Sequence, residues 1–204
     1  MAFVDNLAFS LFAISLAGFM FLYTILSIYV SYLKEQKNYY EDIRTASIPI
    51  LFIGIYLLLM GLWGQFTWPL PGSYNILFYD PMIAFALVML SFAGVSRVGG
   101  NMEYVGFMAL IMGVMAIAYG IQGYFIGLTT QPIALLALFF LYGFAGVLAY
   151  PVTIIAQKKP GSRKNPWGGW TAIIILFSLS LFIASCLSGF IGLNAVASHL
   201  VTPP

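Results

Sequence analysis

Two glutamines mark the neutral polar chemistry open to this chain. Gln65 stands in WGQF between Trp63 and Phe66; Gln122 stands in YGIQGYF among Tyr119, Tyr124 and Phe125; a related SGF ends in Phe190. Amides and phenols supply uncharged donors and acceptors, and rings supply walls. Together they suit a narrow passage that selects a small neutral polar solute by width and matched hydrogen bonds. The same residue types also serve interhelical hydrogen bonding and anchoring at a water–lipid boundary. Asp80 lies between Tyr79 and Pro81, where it is placed to cap a helix beginning at the proline. Its functional alternative is a charged outer vestibule, with His199 as a second group whose charge changes near neutral pH.

Other chemistries lack their residues. The chain has one histidine and one cysteine, Cys186, so multi-ligand metal sites and bis-histidine haem cannot be assembled within it, and no intramolecular disulfide forms. No glycine-rich phosphate loop and no basic patch with interleaved aromatics occurs, which argues against nucleotide and nucleic-acid partners. One tail histidine does not make a nucleophile–base–acid set, so no catalytic residues and no cofactor are expected. Acidic residues are missing from mid-span positions, which disfavours proton relays and ion conduction.

The elements that must position these groups follow from composition. Hydrophobic residues make up 62% of the 204 residues and charged residues 7%, against about 25% charged in soluble domains. Such a chain has too little polar surface to cover itself in water. A span needs about 20 apolar residues, and the apolar runs predict an all-α membrane protein of six helices over 7–33, 47–66, 81–97, 103–128, 132–156 and 168–195. The N-terminal run lacks a basic leader and continues past Tyr29, so it is expected as a retained first span rather than a secretion signal.

All eight basic residues fall in odd-numbered loops. Lys34, Lys37 and Arg44 lie in the first, Arg97 in the third, and Lys158, Lys159, Arg163 and Lys164 in the fifth. Basic residues beside span ends stay cytoplasmic, so the expectation is a cell-membrane protein with both termini outside. Trp63 and Trp68 then mark outer ends, and Trp167 and Trp170 an inner one.

Short repeats suggest internal order. FAGV occurs at 92–95 and 144–147, with a weaker LAGF at 16–19. FIGL occurs at 125–128 and 190–193. Gly64-Gln65-Phe66 corresponds to Gly123-Tyr124-Phe125 and Ser188-Gly189-Phe190. The expected unit is a hairpin that enters and returns, covering about 7–66, 81–128 and 132–195 of a single transmembrane domain, related by a pseudo-threefold axis along the membrane normal.

This layout resembles the urea and amide channel family (UreI/AmiS type), which forms hexameric rings with a pore in each protomer. Phe78-Tyr79-Asp80-Pro81 faintly resembles that family's aromatic-Gly-Pro opening of a span. Its outer histidine-rich loop and tryptophan-rich fifth helix have no counterpart here, and no functional positions carry over. GLWGQFTWPLPGSYNILFYDP followed by EYVGFMALIMGVMAIAYGIQGY resembles the middle section of an uncharacterised, mostly archaeal family of six-span proteins. Three functions stay open. One is a homo-oligomeric, lipid-embedded channel or facilitator for a small neutral solute. Another is a non-transporting subunit of a larger membrane complex. The last is an enzyme or lipid-handling protein whose site belongs partly to a bound cofactor or substrate, with a lateral pocket containing Asp80 or Glu103.

Overall fold

The computed structural model describes residues 6–33, 39–156 and 169–201. These form six helices: α1 (Asn6–Leu33), α2 (Tyr39–Thr67), α3 (Tyr74–Val98), α4 (Glu103–Ile126), α5 (Pro132–Ala156) and α6 (Gly169–Val201). All six are long and apolar enough to cross a membrane. Lys34, Lys37, Lys158, Lys159, Arg163, Lys164 and Trp167 lie outside the described residues.

Two helices begin earlier than the apolar runs imply. α2 starts at Tyr39 because YYEDIRTAS continues the helix despite its polarity, and α3 starts at Tyr74, after Ser73. Pro81 therefore lies inside α3, where it removes one backbone N–H from the helical ladder. The cap assigned to Asp80 is corrected accordingly: Asp80 sits in the second turn of α3, too far from the helix start to serve the free N–H groups there.

The extensive contacts run in a ring. Each helix packs on its two neighbours in the chain, and α6 closes on α1. The fullest contacts are α2 with α3, α4 with α5, and α6 with α1, so the closest partners are not the expected hairpin mates. Small residues explain why. On α2, Ser47, Gly54, Gly61 and Gly64 are buried; on α4, Gly106, Gly113, Gly120 and Gly123; on α6, Thr171, Ser178, Ser185 and Ser188. Each set advances by seven, seven and three residues. A seven-residue step keeps one stripe facing one partner with slight left-handed coiling. Without a large hydrophobic driving force in lipid, close backbone approach is what such stripes supply.

The α4–α5 seam shows the approach at its closest. A Cβ on Gly146 would stand 2.8 Å from the Ala109 carbonyl oxygen, and one on Gly113 would run into the Gly143 carbonyl. The repeated tetrapeptides do less uniform work. Ala93 and Ala145 are both buried, yet Gly94 faces open space while the matching Gly146 packs on α4. Of the two FIGL glycines, Gly127 ends α4 in the left-handed region at φ +66°, and Gly192 lies inside α6 against Ala8 and Leu11. Trp68 ends α2 in the same left-handed manner, at φ +47° without being glycine.

Candidate functional site

Three expected site residues meet at one end of the ring. Asp80 of α3 accepts a hydrogen bond from the Tyr119 hydroxyl of α4 at 2.6 Å, and a second from the Gln65 amide of α2. Both carboxylate oxygens are thus engaged, and three helices are tied through one side chain. A carboxylate acceptor makes these bonds stronger than neutral ones. Next to the cluster, Tyr79 is buried over Gly64. Asn75, wholly buried, donates its amide to the Gly64 carbonyl at 2.9 Å and accepts from the Leu70 N–H at 3.3 Å. Asn75 thereby holds the end of α2 to the start of α3.

The remaining expected residues do not join a passage. Phe66, Phe125 and Phe190 are 85%, 78% and 62% exposed, Gln122 is exposed, and Trp63 and Tyr124 are each 37% exposed. The small-residue stripes account for this. Gly64, Gly123 and Ser188 occupy the packed face of their helices. A residue two positions on lies about 200° further round, which turns Phe66, Phe125 and Phe190 away from the interior. His199 is half-buried in the last turn of α6 and is not among the partners of Asp80.

The interior instead holds a cavity of about 170 Å³, walled by α1, α3, α4, α5 and α6. Its lining residues are apolar except for Tyr142 and Ser188. Leu11, Phe78, Phe85, Ala116, Phe139 and Phe177 typify the walls. Pro81 lines it too, one residue from Asp80, while neither Asp80 nor Glu103 does.

Tyr142 and Ser188 belong to a chain of hydroxyls between α5, α6 and α1. The two oxygens are 2.9 Å apart; Ser188 Oγ donates to the Ser185 carbonyl at 3.1 Å, and Ser15 Oγ donates to the same carbonyl at 2.7 Å. Sequence reasoning passed over Tyr142 because nothing marks one tyrosine in an apolar run until the fold turns it inward. Its place directly before Gly143, on the stripe facing α4, was the available signal.

No curated protein and no solved structure matches the chain. The expectation of an uncharacterised family holds. The family model DUF981, described as a protein of unknown function, matches residues 1–202, and with nearly every residue covered the chain belongs to that family.

Proposed function

We propose that the chain inserts into a cell membrane as a six-span bundle with both termini outside, and that its helical ring carries a small neutral solute across. The observation that carries this reading is the apolar cavity of about 170 Å³ lined by five of the six helices. A subunit that only braced a larger complex would be better served by a filled core, since interiors otherwise pack with few voids larger than a water molecule. The antiparallel packing of α2 on α3, with Gly64 against Tyr79 and Gly54 against Met89, puts the exposed Arg44 and Arg97 at one end of the bundle and Asp80 at the other. That agrees with basic ends facing the cytoplasm. The broad outward apolar faces suit lipid and contact between copies in a homo-oligomer.

The lining narrows the solute. Burying a polar group without a partner costs about 2–7 kcal/mol, and two hydroxyls cannot satisfy urea or acetamide fully. The favoured solute has few hydrogen-bonding groups. Stopped-flow measurements on proteoliposomes of low intrinsic permeability test this with ammonia, ethylene glycol, acetamide and urea. The expected result is excess flux over empty vesicles that falls as polar groups are added. Flux equal to that of empty vesicles for every solute would overturn the proposal.

A further inference from the structure

The lining of the cavity is drawn out along the helices. On α1 it includes Leu11 and Phe21, on α3 Phe78 and Val88, and on α5 Phe139 and Ala149. Each pair is ten residues apart, a rise of about 15 Å. The two ends belong to different packing clusters. Leu11, Phe78 and Phe139 pack together at one end, and Phe21, Ala149 and Phe177 at the other. Ile14, Phe85 and Ala145 line the stretch between. A compact apolar cavity of about 150 Å³ holds one benzene ring. Here about 170 Å³ is spread over a length of roughly 15 Å, so the space is a narrow slot. Its two polar side chains have protein partners. The Tyr142 and Ser188 hydroxyls are 2.9 Å apart, and Ser188 Oγ donates to the Ser185 carbonyl at 3.1 Å. An occupant without polar groups thus leaves neither hydroxyl unpartnered.

We infer that the cavity is a slot for a single unbranched hydrocarbon chain lying along the helix axes. A straight chain touches wall atoms along its whole length, and such contacts are individually small but add up. A ring or a methyl-branched chain of equal carbon number is wider, and forcing it in displaces packed side chains. The chain is either the tail of a bilayer lipid or a free molecule of the same kind; in both cases the slot recognises hydrocarbon. The inference rests on the transport reading for a cavity that molecules enter, and adds the shape of what enters.

Photolabelling tests the shape. The probe is octane carrying a mid-chain diazirine, applied to the protein in nanodiscs, with adducts mapped by mass spectrometry. Adducts on Met82 and Ala145 report the slot, and adducts on the exposed Phe140 and Ile175 report probe dissolved in lipid. In nanodiscs of methyl-branched diphytanoyl lipid, n-octane is expected to displace the slot adducts about tenfold better than cyclooctane or isooctane, a ratio that matches a mild overpacking penalty. The adducts on Phe140 and Ile175 should respond alike to all three. Ala84→Leu fills the slot from α3 and should remove the slot adducts while keeping the others; if that variant does not fold, the competition in the native protein decides. Straight-chain lipid then identifies the source. Slot adducts that persist there mean a free chain, and adducts lost there mean that lipid tails hold the slot. Cyclooctane or isooctane competing as well as n-octane would overturn the slot and leave the cavity reading standing. A slot unlabelled in both lipids would overturn this inference, while solute flux decides transport separately.

Discussion

The Tyr119 hydroxyl meets the Asp80 carboxylate at 2.6 Å across the α3–α4 junction, the least extensive of the six contacts around the ring. Where helix surfaces contribute little, a single charge-assisted hydrogen bond carries a large share of the attachment. Tyr119→Phe should lower stability by about 1–2 kcal/mol, toward the lower end of values for bonds to charged groups because the pair is only part-buried. Thermal unfolding in detergent measures it. An unchanged midpoint would mean that the junction holds without the bond.

Asn75 is a fully buried amide whose two hydrogen bonds go to backbone on α2 and the following loop. Asn75→Leu leaves the Gly64 carbonyl and Leu70 N–H without that partner, at an expected cost of about 2–3 kcal/mol. The same unfolding measurement serves. A loss no greater than that of an exposed substitution such as Ile76→Ala would refute the role.

Two glycines should answer oppositely to alanine. Gly113 has α5 backbone where a side chain would go, and Gly94 has nothing within 4 Å. Gly113→Ala forces the seam apart and should cost about 1–3 kcal/mol. Gly94→Ala should be neutral or stabilising by up to about 1 kcal/mol, because alanine loses less entropy in a helix. Similar effects at both sites would contradict the described seam.

Filling the cavity should separate stability from solute handling. Ala116 lines it from α4, and Ala116→Leu places hydrocarbon where there is space. Stability is expected to stay within about 1.5 kcal/mol of the native value, while solute flux and probe binding fall at least tenfold. Undiminished flux would show that solutes do not use this space.

The direction of insertion is tested with single cysteines in a Cys186→Ala background. A cysteine replacing Arg97 should react with a membrane-impermeant maleimide only after the cells are opened. One replacing Gly72, at the other end of α3, should react from outside. The reverse pattern would invert the proposed orientation.

The helices were legible in the sequence because apolar run length is a direct physical requirement, and α5 spans the residues its run implies. Starts were less legible. The polar segment YYEDIRTAS can be read as a solvated helical extension of the first span, yet it opens α2 instead, and Pro81 reads as an opener although a proline is tolerated further inside a long helix. Of the candidate site, the Gln65, Asp80 and Tyr119 meeting was visible only as three polar residues near span ends. Their convergence depends on which helices adjoin and how each is rotated. Rotation also defeated the reading of Phe66, Phe125 and Phe190 as walls. It was written in the seven-residue stepping of small residues, which mixes glycine, serine and threonine and so escapes a search for repeated letters.

Of the three fullest contacts, two join helices that follow one another in the chain, whereas the third joins the first helix to the last, with Ser15 donating to the Ser185 carbonyl 170 positions away. During biogenesis α2 and α3, then α4 and α5, meet their mates as soon as they are made. α1 must wait for translation to reach α6. Ring closure thus follows the other five contacts, and a ribosome stalled before Ser185 leaves an open arc in which the first helix holds only its smaller contact with α2.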